Sequence, residues 1–141
     1  MEPRDLTPEA AALRETAEET GIDTTAVDIL GTLPEVYLPV SNNLVSPVIG
    51  WWDHPGSIAA DTREAVEAFR APVAQLLDPS TRRTSILTVR GTVYRGPAFQ
   101  YNNGHEKIVW GFTGRLLDAI FDRAGWTVPW DETREISVGN R

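Results

Sequence analysis

The segment from Thr7 to Gly21, "TPEAAALRETAEETG", restricts the fold more than any other part of the chain. A Thr hydroxyl caps free backbone amides, Pro suits the first helical position, and Glu9 favours the positive end of a helix. The Ala-rich run that follows is a strong helix former, and Gly21 is a natural stop. This predicts a helix over Pro8 to Thr20. On such a helix Glu15, Glu18 and Glu19 stand at i, i+3 and i+4, so their carboxylates converge on one face about one turn long. Like charges at that spacing weaken an isolated helix by several tenths of a kcal/mol per pair. A divalent cation reverses the sign of that term, because carboxylate oxygens are hard ligands of the kind Mg²⁺ accepts. The alternative is a solvated acidic face that binds nothing. Arg14, four residues before Glu18, is placed to steady its carboxylate.

Composition narrows the classes of function. At 141 residues the chain has the size of one domain, able to build a core without covalent staples. It has no Cys, which excludes disulfides, thiolate metal sites and Cys nucleophiles and fits a reducing, cytoplasmic setting. No apolar run is long enough for a membrane span, and the first twenty residues lack the apolar segment of a secretory signal. The net charge of −7 argues against nucleic acid and anionic membranes as partners. An acidic protein that handles phosphates needs metal ions or a local group of Arg to offset repulsion.

Further along, Val27 to Leu33, Glu35 to Pro39 and Leu44 to Trp52 are expected as strands, followed by a turn at "DHPGS". "REAVEAFRAPV" suits a helix or a strand ending at Pro72, and "AQLLDPS" a helical turn. Thr84 to Val89, Ala98 to Tyr101 and Lys107 to Trp110 are expected strands. Thr113 to Ala124 is an amphipathic helix with Leu116, Leu117, Ile120 and Phe121 on one face. The final dozen residues, "WDETREISVGNR", are polar and expected to be loose.

The ordered pattern "RETAEETGI" fits R-E-U-x-E-E-x-G-U, the second half of the Nudix box, at Arg14, Glu15, Glu18, Glu19, Gly21 and Ile22; Thr16 departs from the aliphatic U. The chain therefore resembles a Nudix hydrolase. With Glu2 and Asp5 at the box's two leading acidic positions, it looks like the coenzyme A pyrophosphatase subgroup. "VSPVIGWW", "EAVEAFRAPVAQLLDP" and "IVWGFTGRLLDAI" are similar to later segments of that subgroup, so the resemblance runs from about Glu2 to Ala124. It favours a strand over Glu64 to Ala71 leading into a short helix. The Gly-Gly that opens the box, the first sheet strands and the coenzyme A recognition motif would lie before residue 1. A start placed too far downstream, a fragment of a longer protein and a truncated relative are the three readings, with impaired activity of this polypeptide alone as the expectation.

The resemblance implies an α/β fold: a Nudix-type α/β/α sandwich with a mixed sheet, without its amino-terminal strands. It implies a Nudix domain over 1–126 and a polar tail over 127–141. It also implies hydrolysis of a nucleoside-diphosphate-linked small molecule, above all coenzyme A or its thioesters, to 3′,5′-ADP and a phosphopantetheine moiety. ADP-ribose or NADH as substrate, or a catalytically impaired nucleotide-binding module, are the alternatives. By the same resemblance Glu15, Glu18 and Glu19 hold Mg²⁺, or Mn²⁺ in its place. Glu15 and Glu18 are catalytic, one carboxylate accepting a proton from water, with Arg14 orienting them. A homodimer is compatible with the family. Other residues carry two readings each. Glu64 is a distal base or a solvated strand end, and His54 and His105 are expected at the surface. Trp51 and Trp52 stack on an adenine or are buried, and Arg82 and Arg83 touch phosphates or sit in a solvated turn.

Overall fold

The computed structural model describes residues 6–38, 41–53, 69–102 and 104–141. The chain divides into two compact units, Met1–Arg70 and Ala71–Arg141. Together they hold three α-helices and eight strands among the described residues, an α/β composition with a mixed sheet in the second unit.

In the first unit, α1 runs from Pro8 to Thr20, as the capping chemistry predicts. The Thr7 side chain accepts a hydrogen bond from the Ala10 amide at 3.1 Å. At the other end Gly21 adopts φ 71°, and its amide donates to the Ala17 carbonyl at 3.0 Å. Only glycine takes that left-handed conformation without a steric penalty, so the helix stops there. Strand β1 (Val27–Thr32) pairs antiparallel with β4 (Val48–Trp52), with an irregularity between Ile29 and Gly31. Strands β2 (Val36–Leu38) and β3 (Asn43–Val45) form a second antiparallel pair. The single strand expected over Leu44 to Trp52 is thus two, parted at Ser46-Pro47. Proline has no amide to give to a ladder, and its carbonyl is instead taken by the Leu33 amide at 2.8 Å. The apolar side of α1, through Ala12, Leu13 and Thr16, lines a pocket of about 200 Å³ together with Val27, Val48 and Trp52.

In the second unit, α2 (Val73–Leu77) leads into β5 (Arg82–Val89). Strand β6 (Thr92–Asn102) returns antiparallel, with Val89 opposite Thr92. The two intervening residues, Arg90 and Gly91, both have positive φ, 50° and 80°. That is the mirror-image turn whose twist matches the strands it joins. Strand β7 (Glu106–Val109) extends the sheet on one side. Helix α3 (Gly111–Arg123) then crosses back, and β8 (Glu135–Asn140) pairs parallel with β5, giving the order β7-β6-β5-β8. The expectation of a loose terminus is therefore corrected. Ile136 and Val138 alternate with exposed polar residues, the period of a half-buried strand, and the edge of β5 supplies the hydrogen-bonding partners. The expected strand over Glu64 to Ala71 falls mostly outside the described residues, whereas the short helix after it is present.

Between α3 and the sheet, Phe99 and Phe121 meet edge to face at 5.9 Å. Beside them Arg82, 1% exposed, lies 4.4 Å from the ring centres of both Phe99 and Trp130. Its Nη2 donates to Asp118 of α3 at 2.5 Å. Its Nε is buried with no hydrogen-bond partner among the described residues. Neither a phosphate contact nor a solvated turn describes this residue: Arg82 is part of the core.

Helix α3 approaches the sheet most closely at Gly114, where a Cβ would sit 2.6 Å from the Pro97 carbonyl oxygen. Alanine is the better helix former by about 1 kcal/mol, yet backbone on backbone cannot give way cheaply. Gly114→Ala should lower stability by about 1–2 kcal/mol net. Urea unfolding checks this: the midpoint falls with the slope unchanged.

Candidate functional site

Helix α1 carries every described residue of the acidic constellation. Its capped ends fix the register, and 3.6 residues per turn bring Glu15, Glu18 and Glu19 to neighbouring positions on one face. Arg14 reaches two of the three. Its Nη1 donates to Glu18 Oε2 at 3.1 Å and its Nη2 to Glu15 Oε1 at 3.4 Å. The Arg14 side chain is 17% exposed, Glu18 32% and Glu15 51%, so the cation is tucked against the helix and the carboxylates lean outward. Glu19 is exposed. At the end of the helix Thr20 Oγ1 donates to the Thr16 carbonyl at 2.6 Å, and Gly21 turns the chain away.

This donor set fits a hard divalent cation by its chemistry, since all three groups offer carboxylate oxygens from an accessible face. Two of the three, Glu15 and Glu18, are held in ion pairs with Arg14. Among the described residues no three acidic or histidine side chains are gathered closely enough to enclose an ion. Glu2 and Asp5, the box's leading acidic positions, lie outside the described residues.

The remaining candidates separate clearly. Glu64 and His54 also lie outside the described residues, and His105 is exposed. Trp51 is 57% exposed, its indole N–H 3.4 Å from Asp53 Oδ1. Trp52 is half-buried beneath the Arg70 guanidinium, 4.8 Å from its ring centre, and lines the pocket under α1. Arg83 donates through Nη1 to the carbonyls of Ser80 and Arg82, both at 2.7 Å. Sequence reasoning missed one contact that locates α1. Thr32 Oγ1, at the end of β1, donates to Glu9 Oε1 at 2.6 Å. A hydroxyl 23 residues away leaves no local pattern that could have announced it. No helix among the described residues is long and apolar enough to cross a membrane.

The family model described as NUDIX domain matches residues 1–89. The chain is 29% identical to the mouse protein named peroxisomal coenzyme A diphosphatase NUDT7 over 118 residues, 82% of this chain and 50% of that protein. It is 36% identical to the uncharacterized Nudix hydrolase NudL of Escherichia coli O7:K1 over 110 residues, 77% of this chain and 54% of the relative. To Nudix hydrolase 22, chloroplastic, of Arabidopsis thaliana it is 32% identical over 109 residues, 75% of this chain and 36% of the relative. The chain thus spans about half or less of the length of these curated relatives.

The hydrogen bond from Thr32 holds the Glu9 carboxyl below its ordinary pKa, with the backbone amide of Glu9 as the next contributor. A carboxylate with a depressed folded-state pKa contributes stability above its unfolded value, lost as pH falls through the lowered one. In Thr32→Val the Glu9 pKa should rise toward the ordinary carboxylate range, and the stability that depends on its depression shrinks with it. Carboxyl NMR titration of both proteins measures it, and identical Glu9 curves would remove the contact from the account.

Proposed function

Because this chain belongs to the Nudix family, we propose that it hydrolyses a nucleoside-diphosphate-linked substrate, with coenzyme A or one of its thioesters as the preferred one. The observation that carries the reading is α1 itself. The family's acidic pattern falls on a helix capped at both ends, with its carboxylates on one accessible face and Arg14 bound to two of them. The name of the mouse relative supports the choice of substrate.

On this reading Glu15, Glu18 and Glu19 hold Mg²⁺ or Mn²⁺. The ion, when bound, supplies charge neutralisation at phosphoryl oxygens and a lowered pKa for water. Without a cation the acidic face repels a bare diphosphate, so the carboxylates give the site its need for one. Arg14 orients Glu15 and Glu18, restricting two flexible side chains before substrate arrives. Glu15 or Glu18 accepts the proton released as water attacks phosphorus.

A second reading is a nucleotide-binding module that holds such a ligand without cleaving it. It is favoured by Arg14 already pairing with two of the three carboxylates. One set of assays separates the two: Mg²⁺-dependent cleavage of coenzyme A, ADP-ribose and NADH, alongside calorimetry with Mg²⁺ and ADP. Turnover of coenzyme A above the others supports the proposal; binding without turnover supports the module. Glu18→Gln and Glu19→Gln should each lower turnover at least tenfold. A loss within about threefold, under ~0.7 kcal/mol, removes the metal-ligand assignment.

A further inference from the structure

Strands β5 and β8 place two arginines side by side. Thr84 pairs with Glu135, and the Thr84 amide donates to the Arg134 carbonyl at 2.8 Å. One residue earlier on each segment stand Arg83 and Arg134, at equivalent positions of neighbouring parallel stretches. Side chains alternate along a strand, so Arg83 leaves the sheet on the face opposite the buried Arg82. Like charges held next to each other across a ladder are unfavourable. Nearby acids relieve them only in part: the charge of Arg134 helps to lower the Asp131 pKa, whereas among the described residues no acid acts on Arg83 in the same way. Glu135 is ion-paired with Arg95. The Asp131 carboxylate accepts from the Thr133 amide and hydroxyl, at 3.0 and 2.5 Å. Among the described residues, neither Arg83 nor Arg134 has a carboxylate within ion-pair distance.

We propose that Arg83 and Arg134 form a binding site for a tetrahedral oxyanion, a phosphate ion or the phosphate group of a monoester. Two features make the pair suited to it. The hydrogen bonds from Arg83 Nη1 to the Ser80 and Arg82 carbonyls fix the plane of its guanidinium, leaving the rest of the fork to meet an anion in a set orientation. An anion between the two cations also turns their repulsion into two attractions. Partial burial, and then the charge of Arg134, lower the pKa of Arg83, as expected for a cation short of a counter-charge. The site uses no part of the glutamate triplet, so it stands or falls separately from the proposed hydrolysis.

The test is an NMR titration of the full chain, following the Nε–H signals of Arg83 and Arg134. The probes are inorganic phosphate and adenosine monophosphate, with adenosine as the phosphate-free control. Saturable shifts at both residues with adenosine monophosphate, alone or together with phosphate, identify a monoester site. Shifts with phosphate alone identify a site for the free ion, and either result upholds the proposal. Arg83→Gln and Arg134→Gln should each weaken binding at least threefold, while Arg90→Gln, a charge-matched control at the hairpin tip, should change it less than that. The proposal is overturned if neither probe shifts these signals, if adenosine shifts them as adenosine monophosphate does, if either variant weakens binding less than threefold, or if the control weakens it as much.

Discussion

Three carboxylates on one turn of helix repel one another, and the local structure around α1 answers that repulsion. An unaided helix of this length is marginal in water. Here Thr7 and Gly21 close both ends, and a good N-cap contributes about 1 kcal/mol. Arg14 sets a cation against Glu15 and Glu18, and its i,i+4 pair with Glu18 contributes about 0.3–0.5 kcal/mol. Thr32 fastens the first turn to the strand below. These terms are together larger than a few tenths of a kcal/mol per repelling pair. The helix therefore carries its charge while folded.

What was legible in the sequence follows from how local each signal is. The limits of α1 were readable to the residue because both ends carry their own chemistry. Helix α3 begins at Gly111, two residues before the expected start, since its first turn has no side-chain cap to mark it. Strand β6 runs from Thr92 to Asn102, far beyond the expected Ala98 to Tyr101. Its first half is exposed and owes its conformation to pairing with β5, not to an apolar pattern of its own. Strand β8 was hidden in the same way: two apolar residues in alternation become a strand only when a neighbouring edge is there to receive them.

The site was legible to a similar degree and for the same reason. Spacing along one helix placed Glu15, Glu18, Glu19 and Arg14 together, and the structure shows Arg14 bridging to two of the three. Contacts made across the chain were invisible. The Glu9–Thr32 bond and the adjacency of Arg83 and Arg134 depend on strand placement, which no residue type announces. Arg82 was misread outright. An arginine beside a turn is ordinarily at the surface, and only Asp118, Phe99 and Trp130, each far off in sequence, make its burial tolerable.

The buried pairing of Arg82 with Asp118 also limits the order in which this core can change. Asp118 keeps 34% of its side chain in contact with water, whereas Arg82 keeps 1%. If Arg82 is replaced first by an apolar residue, the carboxylate left behind can rehydrate. If Asp118 is replaced first, the guanidinium is stranded between two rings without its counter-charge. The two routes lead to the same apolar core, but the second passes through the costlier intermediate. Over generations, drift at these two positions should be directional, with the arginine lost before the aspartate.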